Sequence, residues 1–132
     1  MTGNDHIKRA ALNRIAGGDS WQTAKRSKFL VGHNVVHVRY CGPSRSNNRL
    51  YKFNINPNTL RADYELWICG NADENYLIPR PIIKQMYDDA EAYVDTRHEG
   101  IRMISVDNEN DTATYARNGK KLDLKPYSKI SL

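Results

Sequence analysis

Eight Lys and Arg side chains in the first half of this chain are spaced to meet a polyanion: Lys25, Arg26, Lys28, Arg39, Arg45, Arg49, Lys52 and Arg61. Arginine presents a planar fork that matches phosphate oxygens, and lysine a compact point charge. Arg45 and Arg49 share the segment GPSRSNNR with Asn47 and Asn48. From such a loop, Arg and Asn can read guanine and adenine edges, while Lys25, Arg26, Lys28, Arg39 and Lys52 hold phosphates. A second constellation is Asp63 and Glu65, with Lys52 as a cationic partner. On a strand, residues i and i+2 point to one face. Two carboxylates so placed can hold Mg²⁺ and activate a water against a phosphodiester. The plain alternative for both sets is a solvated surface with no partner.

Other polar groups promise less. Asp107, Glu109 and Asp111 in DNENDT begin like a calcium loop. Thr112 stands where that loop needs glycine and Asn118 where it needs glutamate, so the segment reads as a polar hairpin turn. His33 and His37 are four apart in a strand or loop pattern and lack further ligands at zinc spacing. Cys41 and Cys69 end apolar runs and read as buried free thiols in a reducing compartment. Tyr40 and Tyr51 lie near the basic loop, where they either stack on bases or fill the core.

The elements that must position these residues follow from periodicity. DHIKRAALNRIA reads as a helix ended by Gly17-Gly18, and Asp19 or Ser20 as the cap of a second short helix holding Trp21 and Ala24. NVVHVRYC, LYKFNI, ADYELWICG and NYLIP read as strands. In LYKFNI, Tyr51, Phe53 and Ile55 face one way and Lys52 and Asn54 the other. Pro81 opens a helix over about 81–88. IRMISV, TATYAR and KKLDL form a closing meander, with Asn118-Gly119 as its hairpin turn. The expected fold is α+β: N-terminal helices, then a mixed, mostly antiparallel sheet with one further helix and a C-terminal β meander.

The run VVHVRYCGPSRSNNRLYKFNI, then ADYELWICG, then NYLIP resembles part of the PD-(D/E)XK restriction-endonuclease-like superfamily over about residues 29–88. The resemblance is one of strand pattern. It implies a strand carrying Asp/Glu-x-Lys that binds Mg²⁺, with another Asp one strand earlier. His37-Val38-Arg39 occupies the equivalent place, and the preceding FLVGHN holds no Asp. Arginine stays charged and is a poor substitute for that lysine. In this register the resemblance implies a lost hydrolytic site and a basic strand facing DNA.

The chain has 132 residues and a net charge of +5, which fits one domain with its own core. The charge is unevenly spread. Residues 1–61 carry eleven Lys and Arg against two Asp, and residues 62–132 carry nine against thirteen Asp and Glu. A basic half seeks a polyanion. No apolar run approaches a membrane span and the N-terminus lacks a secretory pattern. The expectation is therefore a single cytoplasmic domain over 1–132 that binds nucleic acid, chiefly double-stranded DNA, as a monomer or homodimer and without a cofactor. It would serve as the recognition part of a restriction or repair system. One alternative is a Mg²⁺-dependent endonuclease using Asp63, Glu65 and Lys52. Another is a protein-interaction domain whose acidic half, with Asp88, Asp89, Glu91 and Asp95, meets a basic partner.

Overall fold

The computed structural model describes residues 4–18, 20–42 and 50–132. Helix α1 spans Asp5–Ala16, with Asp5 in its first turn, where an acid complements the helix dipole. Ala11, Leu12, Ile15 and Ala16 form its buried stripe. Gly17, at φ 61°, ends it and donates its N–H to Arg14 O.

The second N-terminal helix expected after Gly18 is a β-hairpin instead. Strands β1 (Trp21–Lys25), β2 (Lys28–Val31) and β3 (Asn34–Cys41) run as an antiparallel meander. Trp21 pairs with Val31 and Thr23 with Phe29. Aromatic and β-branched side chains favour this pleated, half-buried surface over a helix turn. Ser27 takes a positive φ of 53° in the β1–β2 turn.

The remaining strands are β4 (Leu50–Ile55), β5 (Tyr64–Cys69), β6 (Asn75–Pro79), β7 (Arg102–Asp107), β8 (Thr112–Ala116) and β9 (Lys120–Asp123), with α2 over Arg80–Tyr87. They form two sheets rather than one. The first has the order β1-β2-β3-β5-β6, with β3 and β5 parallel and the other pairs antiparallel. The second is the antiparallel set β4-β7-β8-β9. The expected C-terminal meander is therefore present, with β4 added at its edge. Asn118 and Gly119 both take positive φ, 62° and 67°, as a primed hairpin turn requires.

Strand alternation sorts the core into two clusters. Val36, Val38, Leu66, Ile68 and Leu77 pack with Ala11, Leu12 and Ile15 of α1. Trp67, Cys69, Tyr76 and Ile78 point the other way, onto Tyr51, Phe53, Ile55, Ile104 and Val106 of the second sheet, with Ile83 and Met86 of α2. The order of layers is α1, first sheet, second sheet. Phe53 and Trp67 stack across the two sheets at 5.0 Å between centroids and 7° between planes. Among the described residues, no helix is long and apolar enough to cross a membrane.

One glycine is tied to this layering. Gly70 follows β5 at φ 82°, donates its N–H to Cys41 O, and would place a Cβ 3.3 Å from Tyr51 Oη. Gly70→Ala is expected to cost about 1–2 kcal/mol, from the left-handed backbone and the crowded hydroxyl. Urea denaturation checks it, and an unchanged midpoint would show that the turn relaxes freely.

Candidate nucleic-acid interface

Lys8 and Arg9 lie one turn beyond Asp5 on α1, and Leu12 one turn further, so the four share a helix side. Trp21 and Thr23 on β1 point to the face that α1 covers, beside Phe29 of β2. The result is a groove of about 310 Å³ between α1 and the β1–β2 hairpin. Among the described residues, its rim carries Lys8, Arg9, Lys25 and Arg26, with one carboxylate, Asp5. Its apolar wall is Leu12, Trp21 and Phe29. The two rings meet edge to face at 5.7 Å, and the Trp21 indole N–H donates to Asn13 Oδ1 of α1 at 2.7 Å. The hairpin is thereby fixed against the helix by both an apolar and a polar contact.

Three of the cations expected from sequence gather at this hairpin. Lys25, Arg26 and Lys28 surround a shallow depression at its tip, and Lys28 Nζ donates to Asn58 O at 3.3 Å. Arg39 and Lys52 lie elsewhere. Arg39 projects from the opposite face of β3, in register with Trp67, and its Nε is buried without a hydrogen-bond partner. Lys52 is on the outer face of the second sheet, where Nζ donates to Ser105 Oγ at 2.5 Å. Arg45, Asn47, Asn48 and Arg49 lie outside the described residues. Lys8, Arg9 and Trp21 were not singled out from sequence. The signal for the first two was available, because Lys8-Arg9 adjoins the buried stripe of a predicted helix.

The set Asp63, Glu65 and Lys52 does not converge. Asp63 Oδ2 accepts the Val35 N–H at 2.8 Å. Glu65, 2% exposed, points between the sheets. There Oε2 is 2.8 Å from His37 Nδ1, a close approach off the hydrogen-bond axis, and Oε1 accepts the Trp67 indole N–H at 3.2 Å. Lys52 faces outward from the second sheet, whereas Glu65 is buried on its inner side. Among the described residues, no three His, Cys, Asp or Glu side chains converge as metal ligands.

The acidic half is largely engaged by its own neighbours. Lys84 Nζ is 2.5 Å from Asp88, Lys120 bridges Asp89 and Glu91 at 3.1 and 3.0 Å, and His98 Nδ1 is 3.1 Å from Asp95. The backbone N–H of Glu91, and then Lys120, hold the Asp89 carboxyl below its ordinary range. The backbone N–H of Arg97, and then His98, do the same for Asp95. Both cysteines are free; Cys69 is buried, and that burial pushes its thiol well above the usual value. No family model, no curated protein and no solved structure matches this chain.

Proposed function

We propose that this protein binds nucleic acid, chiefly double-stranded DNA, through the groove between α1 and the β1–β2 hairpin. The observation that carries the reading is the concentration of Lys8, Arg9, Lys25 and Arg26 against one carboxylate, among the described residues, on the rim of that groove. Cations so arranged neutralise successive phosphates and release their counterions. Lys25, Arg26 and Lys28, at the β1–β2 turn on the edge of the first sheet, extend this charge beyond the groove.

The reading is of a binding module, such as the recognition part of a restriction or repair system, rather than a nuclease. The two carboxylates proposed for metal are committed to Val35 and to the His37–Trp67 pair. The protein-interaction alternative has less support, since Lys84, Lys120 and His98 already face four of the acids it needs. The test is fluorescence anisotropy of a labelled duplex titrated at several salt concentrations. Micromolar or tighter binding with a steep salt dependence is expected. Absence of binding at low salt would reject the assignment.

A further inference from the structure

The second sheet buries one face against the first, the other is left open by the described residues, and the register lines that open face in rows. Lys52 pairs with Ser105, Ser105 with Thr114, and Thr114 with Lys121. Partners across strands point the same way, so one straight row reads cation, hydroxyl, hydroxyl, cation over four strands. Two residues along, Asn54 pairs with Met103. Beside Met103 the place of β8 is taken by Tyr93. Its carbonyl accepts the Met103 N–H at 2.9 Å and its N–H donates to Tyr115 O at 3.1 Å. Two residues the other way, the row holds Asp107, Thr112 and Asp123.

Tyr93 and Met103 are 38% and 41% exposed although their backbones are pinned in the sheet. With Lys52, Asn54, Ser105 and Thr114 they line a shallow basin of about 580 Å³. An exposed aromatic ring and a thioether on a held backbone, rimmed by hydrogen-bonding groups, mark a binding surface rather than scattered exposure.

We propose that this face binds a single-stranded nucleic-acid segment, its phosphates along the Lys52–Ser105–Thr114–Lys121 row and one unstacked base on Tyr93 and Met103. Aromatic faces accept any base, and the Asn54 amide is placed to meet a base edge. Rows two residues apart are separated by about 6.8 Å, a distance a nucleotide covers from phosphate across the sugar to its base. Four strands span about 14 Å, more than a single phosphate fills, so the occupant is a run of backbone. Asp107 and Asp123 repel phosphate on the far side and so direct the base toward Tyr93. The site is on the opposite side of the layered fold from the α1–hairpin groove, and it does not depend on that groove.

The test compares anisotropy of a labelled single strand of about 12 nucleotides with that of a blunt duplex. The proteins are the wild type, Tyr93→Ala, Tyr93→Phe and the Lys52→Ala/Lys121→Ala pair. Tyr93→Ala is expected to weaken single-strand binding about tenfold and leave duplex binding unchanged. Tyr93→Phe should match the wild type, since the ring is kept. The lysine pair should lower the single-strand salt slope by about 1.4. Single-strand affinity unaltered by Tyr93→Ala, an equal loss on the duplex, or no single-strand binding by the wild type would each overturn the proposal. So would a labelled nucleoside monophosphate binding as tightly as the strand. Loss of the groove reading is separable, because it would appear as absent duplex binding with single-strand binding intact.

Discussion

Replacing Lys8, Arg9, Lys25 and Arg26 together by alanine is expected to weaken duplex binding between about a hundredfold and several thousandfold at 0.1 M salt. Each phosphate contact contributes about 0.9 to the slope of log affinity against log salt. Four contacts therefore contribute about 3.6, and extrapolated to 1 M, where this attraction fades, that is a difference of three to four orders of magnitude. The lower figure applies if only about half of the cations touch phosphate at once. The slope itself should fall by about 2–4. All four side chains stand on the groove rim, outside the buried stripe of α1, so the variant should melt close to the wild type. A variant that folds and binds DNA with an unchanged salt slope would remove the groove from the interface.

Two double variants divide the effect between the elements. Lys8→Ala/Arg9→Ala removes the helix side, and Lys25→Ala/Arg26→Ala the hairpin side. Because Trp21 and Asn13 lock the hairpin to the helix, both sides meet the ligand as one rigid surface. Each double variant should then lose about half of the slope. A loss confined to the hairpin pair would shift the interface to the tip formed by Lys25, Arg26 and Lys28.

How far these features were legible depends on whether local or distant contacts decide them. Strands β3, β4 and β6 coincide with NVVHVRYC, LYKFNI and NYLIP, because β-branched and aromatic alternation is a local signal. The Asn118-Gly119 turn was equally local, set by two positive φ angles. The segment after Gly18 was not. Asp19 or Ser20 reads as a helix cap ahead of Trp21 and Ala24, but Trp21 and Thr23 find Val31 and Phe29 across a hairpin, and pairing overrides weak propensity. The departure of β4 from its chain neighbours into a second sheet has no local signal at all. It carries Lys52 away from Glu65, although alternation had correctly turned Lys52 from Tyr51, Phe53 and Ile55. Lys25, Arg26 and Lys28 were visible as a run. Lys8 and Arg9 join them only because α1 packs across that hairpin.

Glu65→Ala is expected to destabilise the fold by about 3–5 kcal/mol, from the emptied core volume and the buried donor it leaves unpaired. The parallel pairing of β3 and β5 sets His37 beside Glu65, with side chains only 7% and 2% exposed. Removing the carboxylate leaves the Trp67 indole N–H without an acceptor and opens a void beside His37 and the Phe53–Trp67 stack. For a domain of this size, such a loss lowers the melting temperature by about 10–20 °C. Glu65→Gln keeps an acceptor for Trp67 and should cost less. The His37→Leu/Glu65→Leu pair, which replaces both polar groups by apolar volume, should recover only part of the stability, because it fills the void but leaves the buried Trp67 indole N–H without its acceptor. Duplex affinity, measured where each variant is folded, should be unchanged in all of them, since the pair projects from the face of the first sheet opposite the groove. Glu65→Ala within about 1 kcal/mol of the wild type would show that the pair bears no structural weight. A loss of DNA binding in the folded double variant would instead return His37 and Glu65 to the functional surface.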